Sequence, residues 1–267
     1  MRKSLKSITV ILGAVVLSTV AIQASDIIQN IDNSLSGLVI ESGDVCGKSA
    51  VQINLSTGTI CMDIYESSPS ETCPVQNPQS GLDTQTNLNN DGCKSVSYPE
   101  KDPWRFVSLT QAQQLCARAG KRLPNNDEWY TATLAGLDMT LCNIAGTSVV
   151  QTGEVACVTA TGVHDMVGNL WEWIDAEVSD GIYNSRALPE SGYVQAVDSD
   201  GMVSETSGSP YKEYGDDYAT INSHGIRGIL RGGFYGSRDD AGVYSQNISV
   251  QLSAKLPGVG FRCVKSL

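Results

Sequence analysis

Hydrophobic and polar positions alternate in two short stretches, Ala50–Leu55 (A-V-Q-I-N-L) and Thr59–Tyr65 (T-I-C-M-D-I-Y). That period of two belongs to strands. Ser56-Thr57-Gly58 between them is a turn, so the pair predicts a hairpin. Helical spacing occurs convincingly only twice. Gln111–Ala119 places Leu115, Cys116 and Ala119 on one face, with Ser108 or Thr110 to cap it and Gly120 to end it. After a turn at Lys121–Pro124, Asn125 or Asn126 caps a second helix. Asp127 and Glu128 fall in its first turn, where the helix dipole favours acid, and Trp129, Ala132 and Thr133 form its inner face, with Gly136 as the stop. Trp104–Val107 is a short apolar segment. Ile229–Gly233 and Val259–Val264 read as strands. Glu66–Tyr98, Leu141–Val158 and Asp175–Ile226 show little periodicity and predict loops. The densest stretch is Gly162–Trp173, G-V-H-D-M-V-G-N-L-W-E-W. Trp171 and Trp173 are two apart, which is strand spacing, and Gly168-Asn169 before them is a turn signal.

Composition adds three constraints. First, 267 residues with 26 glycines and 6% aromatics, without repeat or linker, predict one loop-rich α+β domain. Second, a net charge of −11 argues against nucleic acid as a partner and is compatible with cation binding. Third, the first residues read as a targeting segment. Arg2, Lys3 and Lys6 precede an apolar run from Ile8 to Ile22, too short for a comfortable membrane span, and Ala24-Ser25 is a cleavage point. The expected organisation is a signal peptide at 1–24, an extended lead-in at 25–44 and one domain at 45–267. The protein is then secreted, periplasmic or on the cell surface, and meets the membrane only if the segment stays uncleaved as an anchor.

Export changes the meaning of the eight cysteines, since an even count in an oxidising compartment reads as disulfides. No C-x-x-C pair occurs and no histidine lies near a cysteine pair, which disfavours zinc. Eight cysteines permit about 105 pairings. Local order points to Cys46–Cys61, Cys73–Cys93 and Cys142–Cys157, leaving Cys116 with Cys263.

Three motifs stand in one order: C-x-x-x-G-K-R-L-P-x-x-x-E-W at Cys116–Trp129, the Gly162–Trp173 stretch, and L-R-G-G at Leu230–Gly233 followed by G-F-R-C at Gly260–Cys263. Together with M-D-I-Y-E-S at Met62–Ser67, they resemble the formylglycine-generating enzyme family, the sulfatase-modifying factor domain, over roughly residues 45–267. The resemblance implies a disulfide-stapled, C-type-lectin-like α+β fold with two main helices and short antiparallel strands, and it supports the Cys116–Cys263 bridge. The family's oxidase binds copper through two cysteines shortly after R-G-G. By that register the two positions here carry Ser237 and Gly242. A hydroxyl is a poor ligand for Cu(I), and glycine offers none, so no copper is expected. The family's iron-dependent branch needs a histidine cluster, and this chain has only His164 and His224.

What the resemblance leaves is binding. Its calcium site maps onto side-chain oxygens of Asp165 and Glu172 and backbone carbonyls of Gly168 and Leu170, with water completing the shell. The alternative is that these carboxylates cap turns or pair with Arg231 or Arg262. Asp198-Ser199-Asp200-Gly201 lacks the later ligands of an EF-hand loop and reads as a surface turn. An unidentified protein or glycan ligand is expected on Tyr235, Arg238, Asp239, Asp240, Tyr244, Gln246 and Asn247, a mixture of aromatic and polar residues of the kind that binding surfaces use. Diversity-generating retroelements place their variable segment between R-G-G and G-F-R of this same fold, which makes Phe234–Val259 a candidate for diversification.

Overall fold

The computed structural model describes residues 45–134 and 136–267. The expected signal peptide at 1–24 and lead-in at 25–44 lie outside the described residues. Residues Cys46–Leu267 form one compact unit.

The hairpin forms as its alternation predicts. Strand β1 (Ala50–Leu55) pairs antiparallel with β2 (Gly58–Asp63), with Leu55 opposite Gly58, so the loop is Ser56-Thr57 alone. Strands β3 (Ser68–Pro69) and β4 (Ser95–Val96) pair across a long excursion. That excursion holds helix α1 (Gly81–Leu88), where a loop is expected. Its buried side is Thr84, Asn87 and Leu88, so its inner face is mostly polar and no apolar period marks it. The two predicted helices are α2 (Leu109–Arg118) and α3 (Asn126–Thr133). Each opens with a reciprocal capping box, Ser108 with Gln111 and Asn125 with Glu128.

The second half is a sheet. Its strands are β5 (Trp171–Ser179), β6 (Ile182–Tyr183), β7 (Arg186–Ala187), β8 (Gly192–Val197), β9 (Val203–Ser207), β10 (Tyr218–Ile221), β11 (Ile226–Arg231), β12 (Gln246–Ile248) and β13 (Val259–Phe261). They run in the order β7-β6-β5-β11-β12-β10-β8-β9, with β13 also on β5. The loop expected over Asp175–Ile226 is therefore mostly strand. Segments such as V-S-E-T-S in β9 lack an apolar alternation because most of their side chains are not fully buried. Two pairings, β10 with β12 and β13 with β5, are parallel, among otherwise antiparallel ones. A last strand, β14 (Val264–Ser266), crosses back to pair with β2.

Strands β5 and β11 are covered on both faces. Ile174, Val178 and Ile229 join an apolar cluster with Ile53, Met62 and Trp129. Trp173 and Leu230 point the other way, into a cluster with Trp104, Leu115 and Phe261. Period-two alternation places neighbouring residues in different cores. All eight cysteines are paired, Cys46–Cys61, Cys73–Cys93, Cys116–Cys263 and Cys142–Cys157, as local order predicts.

Candidate functional site

The Gly162–Trp173 stretch is a tight turn feeding β5. Asp165, Gly168 and Asn169 all have left-handed backbone, with φ of 56°, 79° and 56°. At Gly168 a side chain would collide with the Asn143 carbonyl, 2.5 Å from an added Cβ. The turn is held from outside. Asn169 donates from Nδ2 to Glu66 Oε2 at 2.5 Å, and its Oδ1 accepts from the Val150 backbone at 2.9 Å.

Three carboxylates, Glu66, Asp165 and Glu172, are buried in the same neighbourhood as the Arg262 guanidinium. Arg262 takes both oxygens of Glu172, with Nε at 2.9 Å from each and Nη2 at 2.6 Å from Oε1. It also donates to the carbonyls of Asp63 and His164. Trp129 Nε1 adds a third donor to Glu172 at 2.8 Å. Asp165 accepts from the Gly153 backbone through Oδ2 at 2.9 Å, while its Oδ1 and Glu66 Oε1 have no partner. Burial pushes the Asp165 carboxyl up to about 6, and burial followed by the charges of Asp165 and Glu172 pushes Glu66 well above the usual range.

Tested against a hard cation, this set fits in part. Asp165 keeps a free oxygen, as a ligand must. Glu172 as it stands is saturated by Arg262 and Trp129, the pairing weighed as the alternative. Among the described residues, no group of three or more His, Cys, Asp or Glu side chains forms a metal-holding set. His164 stacks against Tyr65 with ring centroids 4.8 Å apart, and burial lowers its pKa. His224 is exposed. Asp198 and Asp200 hold Arg186 in a surface turn.

Beyond this turn the chain reaches Ser237 and Gly242, the two positions that the motif register sets against the oxidase's cysteines. Arg231 is fully buried, donates to the carbonyls of Gly201 and Val243 at 3.0 Å each, and lies 4.8 Å over the Trp129 ring. Burial brings its pKa down to about 10. Ser237 Oγ accepts from the Phe234 backbone at 3.0 Å, closing a turn. Gly242 abuts Asp217 so closely that an added Cβ would lie 1.9 Å from Asp217 Oδ1. Asp217 is 2% exposed and accepts from the Tyr244 backbone at 2.6 Å, and burial pushes its carboxyl up to about 7. A cavity of about 260 Å³ opens here between Ile144, Asp217, Gly242 and Tyr244.

The seven expected ligand contacts do not form one surface. Arg238, Asp239 and Asp240 form an exposed turn, and Tyr235 packs edge-on against Phe234. Asn247 lines an apolar groove with Trp171, Phe234 and Pro257. Gln246 is the correction: it is fully buried, because its place on β12 turns it inward, and its Nε2 donates to the Gly201 carbonyl at 2.9 Å. Tyr244 has company that its sequence neighbours do not announce. Its ring meets Tyr214 edge-on at 4.7 Å and Tyr130 at 6.1 Å, and the three line a hollow with Leu134 and Val197. Glu66, Asn169 and Asp217 are site residues that the sequence does not single out. Only Glu66 carries a signal, a carboxylate closing the M-D-I-Y-E-S motif strand at Met62–Ser67.

Residues 145–267 match the family model described as the sulfatase-modifying factor enzyme 1-like domain. The resemblance read from the motifs thus holds over that span. Among solved structures, the chain is similar to the Major Tropism Determinant I1 variant, at 17% identity and a TM-score of 0.46, covering 82% of this chain and 52% of that one. It therefore spans about half the length of that protein. It is also similar to PvdO from Pseudomonas aeruginosa (15%, TM-score 0.45, 78% and 81% covered) and to Treponema denticola variable protein 1 (14%, TM-score 0.46, 82% and 92% covered). No curated protein sequence matches the chain.

Proposed function

We propose, taking residues 145–267 as a domain of sulfatase-modifying-factor type, that the protein is an exported ligand-binding module that has given up the copper oxidase chemistry. The observation that carries this reading is position 242. Glycine stands where the oxidase has its second cysteine, and the Asp217 carboxylate fills the space its side chain would need. All eight cysteines are committed to bridges, so no thiol is left to replace it. Four disulfides fit an extracellular or envelope setting, and no helix among the described residues is long and apolar enough to cross a membrane. The ligand surface is centred on Tyr244, Tyr214 and Tyr130, beside the exposed turn Arg238–Asp240. Incubation with copper and a peptide carrying the C-x-P-x-R sulfatase motif tests the reading. No aldehyde is expected, and aldehyde formation would overturn it.

Calcium is proposed as a structural ion, held by the free oxygen of Asp165 with the carbonyls of Gly168 and Leu170 and with water. Glu172 joins this set only if Arg262 releases one oxygen. Calcium should raise the melting temperature by several degrees and chelator should reverse it. No shift, with no ion found by elemental analysis, removes the ion from the reading.

A second reading, the variable protein of a diversity-generating retroelement, rests on the segment between Arg231 and Arg262. Both ends are fully buried, while Arg238–Asp240 and Lys255–Pro257 between them are exposed. A neighbouring reverse transcriptase gene and a near-identical repeat of the segment encoding 234–259 would support it, and their absence from the locus removes it.

A further inference from the structure

A separate cavity of about 460 Å³ opens where four elements meet: the start of α3, the middle of β5, the β6–β7 turn and the β8–β9 turn. Its wall carries Asp127, Asp175, Glu177 and Asp200, and no lysine, arginine or histidine lines it. Two of these carboxylates are engaged from behind. Arg186 Nη2 donates to Asp200 at 2.7 Å, and Gln113 donates to Asp175 at 2.8 Å. Asp127 and Glu177 make no ion pair.

Asn126 gives the independent observation. It lines the same cavity and is 1% exposed. Its Nδ2 is fixed to the Asp200 carbonyl at 2.6 Å, which leaves Oδ1 as its free end, and Oδ1 has no hydrogen-bond partner. A buried acceptor left unmade costs about 1–3 kcal/mol, so the site calls for a donor. The wall carries four carboxylates and no cationic side chain, which disfavours an anion. The carboxylates do not cluster into a metal-holding set, which disfavours an inner-sphere metal. The ring of Tyr183 and the methyl of Ala176 add apolar wall beside the acids. Acceptors next to a short apolar strip match a cationic donor on a methylene chain.

We infer that this cavity binds an alkyl primary ammonium, the chemistry shared by a short diamine and a lysine side chain. The ammonium donates to Asn126 Oδ1 and Asp127, and its methylenes lie along Tyr183. The site shares no lining residue with the tyrosine hollow and does not depend on the function proposed above.

Titration calorimetry of the full domain with 1,5-diaminopentane tests the inference, with 1,5-pentanediol as the uncharged analogue. Saturable binding of the diamine and none of the diol is expected. Asp127→Asn should weaken it about tenfold. Glu71→Gln, exposed just after β3, removes the same charge elsewhere and should leave it unchanged. Melting curves establish that each variant folds, and Glu177→Gln serves if Asp127→Asn does not. Equal binding of the diol, equal loss in the Glu71 variant, or no saturation by about 50 mM diamine overturns the inference. Displacement of the diamine by micromolar calcium also overturns it, in favour of a metal. N-acetyl-lysine amide distinguishes the sources: competition with the diamine assigns a protein lysine as a ligand, and diamine binding alone assigns a free amine.

Discussion

Gly242 and Asp217 fit each other closely. Nothing larger than hydrogen fits at 242 while the Asp217 carboxylate stays in place, since an added Cβ would meet three of its atoms within 2.3 Å. Placing cysteines at these positions, Ser237→Cys with Gly242→Cys, should therefore destabilise the fold by roughly 1–3 kcal/mol without giving activity. Adding Asp217→Ala should recover part of that loss in urea denaturation. Asp217 also sets a pH dependence. Its folded pKa, about 7, lies above the ordinary carboxylate value, so the folded state holds a proton that the unfolded chain has lost. That stabilisation is complete below about pH 4 and disappears as the pH rises through 7. Melting temperature should fall between pH 5 and 8, and the Asp217→Asn variant should show a shallower fall.

Among the elements, the joint between β5 and the turn after β13 is held by a buried ion pair. Glu172 and Arg262 are both fully buried, and among the described residues each is the other's only ion-pair partner. Arg262→Met strands the carboxylate and should cost about 3–5 kcal/mol, whereas Glu172→Leu combined with Arg262→Met should cost less than that single change. A double-mutant cycle in urea decides this. The same scale explains what the sequence makes legible. Helices α2 and α3 are readable because capping residues and an apolar face occur together, Ser108 before Leu115 and Asn125 before Trp129. Helix α1 is not, since it buries Thr84 and Asn87, whose side chains bond the Arg105 and Val75 carbonyls instead of packing an apolar face. Strands β8 to β10 hide for the related reason that their partners, rather than their own alternation, define them. The motif turn at Gly162–Trp173 is legible as a special backbone. Its counter-ion is Arg262, ninety residues further on. Spacing along the chain says nothing about such a contact.

For the molecule as a whole, the deciding feature is closure between distant parts. Cys116–Cys263 spans 147 residues, and the loop it removes from the unfolded chain is worth up to about 5 kcal/mol. Replacing both cysteines with serine should lower stability by much of that amount, more than replacing Cys46 and Cys61, whose loop spans only 15 residues. Thermal unfolding of the two paired variants compares them. Strand β14 reaches β2 across the same divide, so the first sheet is completed by residues 264–266. This bears on synthesis. Translation ending anywhere between Cys157 and Cys263 yields seven cysteines, an odd number, leaving Cys116 without its partner and β2 without the pairing of β14. Alkylation with a maleimide would then separate truncated from finished protein, and oxidising cells would meet the former as a mixed-disulfide partner, a chemical mark of an unfinished chain.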